Sequence, residues 1–165
     1  MNASNTFFIS DFHFDHTNII RYCNRPFNST QEMNEVMLRN YRRVVRPDST
    51  VFFLGDMSFG RNSRPAEWWL RQLPGDIIYI KGSHDRDMDL SDSFVLDHYI
   101  LNVGGIEFFL VHDYHNAPPD WIGWVIHGHK HGNRPFVDRT HRRINVSVEV
   151  VNYTPVSLAR ILGTI

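Results

Sequence analysis

Three histidines stand at alternate positions in the stretch HGHKH, directly after the apolar residues 124–126. They are His127, His129 and His131. Without a metal, a buried imidazole cluster would have to lose its charge and find a hydrogen-bond partner for every ring nitrogen, whereas a bound cation uses the lone pairs directly. We therefore predict that this stretch binds metal. The alternative is a surface turn that is rich in histidine by chance.

Other possible metal ligands also follow short apolar runs. In DFHFDH, Asp11 and His13 lie two positions apart, so both side chains point to the same side of an extended chain. Their oxygen and nitrogen ligands form a mixture that manganese, iron and zinc accept. The remaining groups are Asp56 in LGDMSFG, Ser83, His84 and Asp85 in KGSHDRD, and His112 after EFFLV. Each group alone is a weak signal, because Asp and His are common at turns and in cores.

The apolar runs before these groups are short and rich in β-branched and aromatic residues, as is typical of buried strands. Residues 29–45 and 64–73 have the pattern of amphipathic helices, with Ser29 or Thr30 as N-cap of the first and Pro65 in the first turn of the second. Strands alternating with helices indicate parallel β-α-β units. Ligands bind beyond the carboxyl ends of the strands in such sheets, so ligand groups distant in sequence can meet there.

The second half of the chain has a different pattern. Residues 94–112 contain two apolar runs joined through Gly104 and Gly105, which predicts a β-hairpin. RINVSVEVV, at residues 143–151, predicts a last strand. TPVSLARIL, at residues 154–162, predicts a helix with Thr154 as N-cap and Pro155 at the first helical position. The predicted fold class is a mixed α/β fold.

The order D-x-H, G-D, G-x-H-D, a single His and G-H-x-H, each after a strand, resembles the calcineurin-like metallophosphoesterase superfamily, in particular its small single-domain bacterial and phage-type members. The resemblance spans residues 11–131. It implies a four-layer α/β (α+β) sandwich of two mixed β-sheets flanked by helices, as one domain over residues 1–165. The implied activity is a metal-dependent phosphoesterase, with phosphodiesterase favoured over phosphomonoesterase, in which a metal-activated hydroxide attacks phosphorus at a two-metal centre.

Carried over residue by residue, the resemblance implies two sets of metal ligands. The first set is Asp11, His13, Asp56 and His131, and the second is Asp56 again, as a bridge, with Ser83, His112 and His129. His84 is implied as the catalytic histidine, which contacts the phosphoryl oxygen or protonates the leaving group, and Asp85 as the neighbour that orients it. Manganese is the favoured metal, with iron, zinc or nickel as alternatives. His127, outside the pattern, is a candidate for orienting a ligand or contacting substrate, and His16 for contacting substrate.

Ser83 departs from the family pattern, which has asparagine at this position. A serine hydroxyl is also a neutral oxygen ligand, but it reaches less far than a carboxamide. We expect the second metal site to be weakened, with a water filling the gap or the metal partly lost. The alternative function is therefore a catalytically weakened scaffold for protein binding, like the retromer subunit of this fold, which resembles these enzymes but acts as a protein-interaction module. A metallo-β-lactamase-like hydrolase fits less well, because its histidine motif normally comes early in the chain.

The formal net charge of −1 gives no general reason to bind nucleic acid or membranes. We expect a small phosphate ester or nucleotide-type substrate, with nucleic acid as an alternative that the charge does not indicate. The single cysteine, Cys23, excludes an internal disulfide framework. The first residues lack the basic start and long apolar stretch of a secretory signal, so we expect a cytoplasmic location without membrane contact.

Two sets of residues are candidates for substrate contacts without being assigned to the site. The arginines that follow the motifs are Arg21, Arg25, Arg61 and Arg86, and the tryptophans able to stack on a base are Trp68, Trp69, Trp121 and Trp124. Trp68 and Trp69 fall on a predicted helix, where packing is the favoured role.

Overall fold

The computed structural model describes residues 2–85 and 95–165. Over these residues the chain forms ten strands: β1 (Thr6–Ile9), β2 (Thr50–Phe53), β3 (Asp76–Ile80), β4 (Val95–Leu96), β5 (His98–Val103), β6 (Ile106–Val111), β7 (Trp124–His127), β8 (Val137–Asp138), β9 (Arg143–Asn145) and β10 (Val156–Ser157). The helices of the same residues are α1 (Thr17–Tyr22), α2 (Thr30–Val44), α3 (Ala66–Leu70) and α4 (Leu158–Leu162). Arg86 lies outside the described residues.

The strands form two mixed five-stranded sheets, which confirms the predicted fold class. The first sheet has the order β10-β1-β2-β3-β4, and all neighbours pair in parallel except β10 with β1. The second has the order β5-β6-β7-β9-β8, in which β6, β7 and β9 are parallel. The parallel pairing places the carboxyl ends of β1, β2 and β3 at one edge of the first sheet. It likewise places the ends of β6 and β7 together in the second.

The first sheet is buried on both faces, which explains its continuous apolar strands. On one face, Phe8 stacks on Phe52 with ring centroids 5.2 Å apart, and Phe52 meets Tyr99 of the second sheet at 5.1 Å. Toward the helices, Phe12, just beyond β1, meets Tyr41 of α2 at 6.2 Å. The main core therefore lies between the two sheets and between the first sheet and α2.

Helix α2 begins where the sequence predicts. The Ser29 hydroxyl accepts a hydrogen bond from Glu32 N (3.1 Å), and Glu32 Oε2 accepts one from Asn28 N (2.7 Å). These bonds satisfy backbone donors that the first helical turn leaves free. Met33 and Met37 are buried, as expected for the predicted apolar stripe. In the part of the chain that the structure describes, no helix combines the length and apolar character needed to cross a membrane.

The predicted hairpin is confirmed, with β5 and β6 paired antiparallel around Gly104 and Gly105. Both glycines have positive φ, 59° and 84°. A two-residue turn of this kind requires left-handed backbone, which glycine adopts without steric cost.

Two predictions near the end of the sequence are wrong in their boundaries. The last helix does not begin after Thr154, because Val156 and Ser157 extend to pair with β1, and Ser157 caps the helix by accepting from Arg160 N (3.2 Å). The predicted strand 143–151 ends at Asn145. Beyond it the chain crosses to the first sheet, where Ser10 N donates to Val146 O (3.1 Å) and accepts from Val148 N through its carbonyl (3.1 Å). Tertiary pairing overrides the local signal in both places.

Candidate metal centre

The predicted site residues lie in loops that directly follow β1, β2, β3, β6 and β7. Several of these residues have the left-handed backbone that is uncommon outside glycine: Asp11 (φ 64°), His13 (50°), Asp56 (58°), His129 (65°) and His131 (47°). Such conformations cost about 1–3 kcal/mol each and persist where surrounding contacts enforce them. Asp11 N donates to Gly55 O and His13 N to Asp56 O, both at 3.0 Å. These two hydrogen bonds connect the loops after β1 and β2.

Asp11, His13 and His131 form the first group of possible metal ligands. One ligand atom from each lies within 4.8 Å of the others. Asp11 and His13 are buried, and within the described part of the chain Asp11 Oδ1 and His13 Nε2 have no hydrogen-bond partner. Burying such atoms without a partner is costly. A carboxylate oxygen with two imidazole nitrogens fits a divalent cation such as manganese, iron or zinc.

Asp56, His112 and His129 form the second group, again with ligand atoms within 4.8 Å of one another. His112 Nδ1 donates to Leu54 O (2.6 Å), which leaves Nε2 facing Asp56 Oδ2 at 3.3 Å. Burial alone would raise the pKa of Asp56, but the hydrogen bond and charge of His112 bring the pKa below its usual value. Asp56 is therefore ionised near neutral pH, as a carboxylate ligand must be.

Asp56, a member of the second group, also reaches the first. The distance from its Oδ2 atom is 3.5 Å to His13 Nε2 and 3.3 Å to His112 Nε2. One buried oxygen atom therefore contacts histidines of both ligand groups.

The turn after β3 brings Ser83 and His84 to this centre. His84 N donates to Asp56 Oδ1 (2.8 Å), and the His84 side chain remains 39% exposed, with Nε2 4.0 Å from Asp56 Oδ2. Ser83 Oγ lies 3.3 Å from His129 Nδ1, at the edge of the second group.

Asp85 holds the turn that carries His84. Its Oδ2 atom accepts hydrogen bonds from Asp56 N, Gly82 N and the Tyr79 hydroxyl, each at 2.8 Å. Burial raises the pKa of Asp85. Direct orientation of the His84 ring by Asp85 stays a prediction, since these three contacts act on the backbone around the ring and on Tyr79.

A buried ion pair lies behind the first group. Glu149 Oε1 is 3.1 Å from His131 Nδ1 and accepts from Arg25 Nη2 at 2.8 Å. The same guanidinium donates to Asp11 O and Phe12 O, both at 2.7 Å. Arg25, considered above as a phosphate contact, is only 4% exposed, so this interpretation is wrong. It instead fixes the backbone of Asp11 and, through Glu149, the ring of His131, so that His131 Nε2 would be free to bind a metal.

A second carboxylate lies behind His129. Asp113 Oδ2 is 3.4 Å from His129 Nε2 and 3.1 Å from Lys130 Nζ. An Nε2–H directed at Asp113 leaves the lone pair of His129 on Nδ1, beside Ser83. This contact would orient the ring for metal binding through Nδ1.

His127 lies outside both ligand groups. It is buried, its Nδ1 donates to Gly128 O (2.8 Å), and its ring packs 4.9 Å from that of Tyr114. Burial lowers the pKa of His127 to about 4, so the ring is neutral at physiological pH. These contacts are those of a core histidine at the end of β7.

The two sheets approach closely at Gly128. A β-carbon at this position would lie 2.5 Å from Asp11 Oδ2 and would also collide with Ser10 Oγ. The small residue lets His129 N donate to Asp11 Oδ2 at 2.9 Å. This contact joins the loops after β1 and β7.

Sequence reasoning did not predict the supporting roles of Arg25, Glu149 and Asp113. Asp113 had a signal, because it directly follows the predicted ligand His112. Glu149 interrupts the apolar alternation of RINVSVEVV, which is a weak signal, and the buried pairing of Arg25 had none.

Comparison with known proteins places this site in context. No family model matches the chain. The chain is 40% identical over 171 residues to the uncharacterized protein MJ1445 of Methanocaldococcus jannaschii, covering 100% of this chain and 93% of the relative. Among solved structures, the protein of unknown function AQ665 from Aquifex aeolicus is 28% identical and covers 97% of this chain and 98% of its own, with a TM-score of 0.73. A novel archaeal phosphodiesterase is 19% identical over 86% of this chain and 81% of its own, with a TM-score of 0.49.

The chain belongs to the same family as the M. jannaschii protein. Its two mixed sheets have the arrangement of a metallophosphoesterase-like fold, and its two Asp/His groups lie at the strand ends.

Proposed function

We propose that this protein is a metal-dependent phosphoesterase that prefers phosphodiesters to phosphomonoesters. The observation that carries the proposal is the position of Asp56 Oδ2, 3.5 Å from His13 Nε2 and 3.3 Å from His112 Nε2. A carboxylate shared by two ligand groups suits a pair of divalent cations. When bound, such a pair activates water and neutralises charge on the phosphoryl group.

The ligand assignments are part of this proposal. The first metal is held by Asp11, His13, Asp56 and His131, and the second by Asp56, His112 and His129 with a weak contribution from Ser83. Manganese is the first metal to test, and iron, zinc and nickel suit the same ligands.

His84 is the proposed catalytic histidine. Its backbone is held by Asp56 Oδ1, while its ring is partly open to solvent beside the two ligand groups. A ring so placed can donate a hydrogen bond to a phosphoryl oxygen or a proton to the leaving alkoxide. Asp85 serves this role by holding the turn around residues 82–84.

The proposal is tested with protein stripped of metal by a chelator. Release of nitrophenol from bis(p-nitrophenyl) phosphate is measured with and without manganese, alongside the monoester p-nitrophenyl phosphate. We expect manganese-dependent turnover, faster on the diester. Turnover of the monoester alone would contradict the diester preference, and no turnover with manganese, iron, zinc or nickel would contradict the enzyme assignment.

Two variants separate coordination from catalysis. His84→Ala should keep both metals and lose about 10²–10⁴-fold in kcat, because a general acid contributes on that scale. Asp56→Asn should lower the metal content at both sites. His141→Ala, on an exposed ring held by Asp138, is the control and should leave turnover unchanged. Loss of metal from His84→Ala would contradict the catalytic assignment.

The second candidate function is a scaffold for protein binding, which the departure at Ser83 favours. Ser83 offers a neutral hydroxyl that already contacts His129 Nδ1 at 3.3 Å. A scaffold would bind metal weakly at the second site and show no turnover with any of the four metals, while Ser83→Asn would restore metal binding.

A further inference from the structure

Two exposed aromatic side chains lie near the proposed catalytic histidine, Phe59 directly beside it and Tyr22 beside His16. The centroid of the Phe59 ring is 4.1 Å from that of His84 and 4.9 Å from that of His16. Tyr22 also contacts His16, with centroids 6.2 Å apart. We call Tyr22, Phe59 and His16 the aromatic rim. The rim adjoins the ligand groups, since His13 lies 5.7 Å from His16 and 6.5 Å from Phe59, centroid to centroid.

Packing does not account for the rim. Tyr22 is 71% exposed and gains little from burial, while Phe59 is 38% exposed and leaves part of its ring open to solvent. Trp68, at 39% exposure, provides a comparison, because the Arg64 guanidinium covers its ring at 4.4 Å. The rings of the rim instead face the histidines of the site and solvent.

The tryptophans considered earlier for base stacking are engaged elsewhere. Trp69 is buried and stacks on Phe14 with centroids 4.0 Å apart. Trp121 donates its Nε1–H to Trp124 O (3.2 Å) and packs against Phe109 of the second sheet. The aromatic surface next to the site therefore comes from Tyr22 and Phe59, which the sequence did not single out.

We infer that the aromatic rim binds the nucleobase of a nucleotide-type phosphate ester whose phosphate lies at the metal centre. This inference rests on the proposed function and specifies its substrate class. Every nucleobase has a flat face that stacks on aromatic rings. Because the chain's net charge is only −1, we attribute the expected affinity for the base to stacking rather than to broad electrostatic attraction. Phosphate esters of simple sugars lack this flat aromatic face, so they cannot stack on the rim in the same way.

The test compares two ligands that differ only in the base. Adenosine 5′-monophosphate and ribose 5-phosphate are titrated by calorimetry into the manganese-loaded protein and into Tyr22→Leu, Phe59→Leu and Trp68→Leu variants. We expect the wild type to bind the nucleotide about tenfold more tightly, on the scale of one stacked base. Tyr22→Leu and Phe59→Leu should reduce this preference and leave the affinity for ribose 5-phosphate unchanged. Trp68→Leu, at a ring as exposed as Phe59 but covered by Arg64, should keep the preference.

The outcomes separate the inference from the function on which it rests. If ribose 5-phosphate binds and the nucleotide binds no more tightly, the inference is overturned while the phosphate site stands. A preference that survives in both rim variants also overturns it. If neither ligand binds and no ester is hydrolysed, the proposed function fails, and the inference fails with it.

Discussion

Replacing Arg25 with alanine should destabilise the protein by about 3–5 kcal/mol, even in the absence of metal. Arg25 is 4% exposed and holds Glu149 through Nε (2.9 Å) and Nη2 (2.8 Å). Removing one partner of a buried ion pair leaves the other charge buried without compensation, which typically costs that much. The carbonyl groups of Asp11 and Phe12 also lose their donors.

Urea denaturation in the presence of chelator measures this loss directly. For a chain of this length, about 4 kcal/mol corresponds to a fall in Tm of roughly 8–16 °C. Arg43→Ala, on the exposed side of α2, is the matched control and should change stability by less than about 0.5 kcal/mol. The double variant with Glu149→Ala should lose less than the sum of the single losses, because the two side chains interact.

The reasoning would be refuted by a loss below about 1 kcal/mol for Arg25→Ala, or by additive losses in the double variant. Either result would mean that Glu149 is solvated or paired without the arginine. The metal-free condition matters because it separates the stability of the ion pair from its effect on metal affinity.

Three further predictions concern the second ligand group and the packing between the sheets. Gly128→Ala should destabilise the protein by about 1–3 kcal/mol in urea denaturation, since its β-carbon would lie 2.5 Å from Asp11 Oδ2. Gly132→Ala, whose nearest contact would be 3.9 Å, should show no such loss, and equal losses would contradict the clash. Asp113→Asn should weaken the second metal about 10- to 100-fold in a metal titration, and unchanged affinity would exclude an orienting role. Ser83→Asn should tighten the same metal; two equally tight sites in the wild type would refute the proposed weakening.

Much of the fold follows from local signals in the sequence. Strands β1, β2, β3, β6 and β7 are short apolar runs, and α2 has both its cap at Ser29 and its apolar stripe. The parallel arrangement of these strands brings their ends together, so the convergence of Asp11, Asp56 and His131 could be expected. Their assignment to two separate groups of ligands came only from the resemblance to a known superfamily.

Long-range pairing accounts for what sequence patterns did not predict. Thr154 and Pro155 carry a strong local signal for the start of a helix, yet Val156 and Ser157 form a strand because β1 offers them an unpaired edge. Arg25 and Glu149 are 124 residues apart, and no local pattern links a loop arginine to a carboxylate that distant.

The antiparallel partner of β1 is β10, formed by Val156 and Ser157, so a chain under synthesis completes the first sheet only after residue 157 has left the ribosome. Until then β1 has one open edge, and an open edge invites pairing with other nascent chains. His131 and Glu149 also emerge long after Asp11. The proposed ligand set is therefore completed late in synthesis, and translation that stops before His131 would release a product with an open strand edge and an incomplete set of proposed ligands.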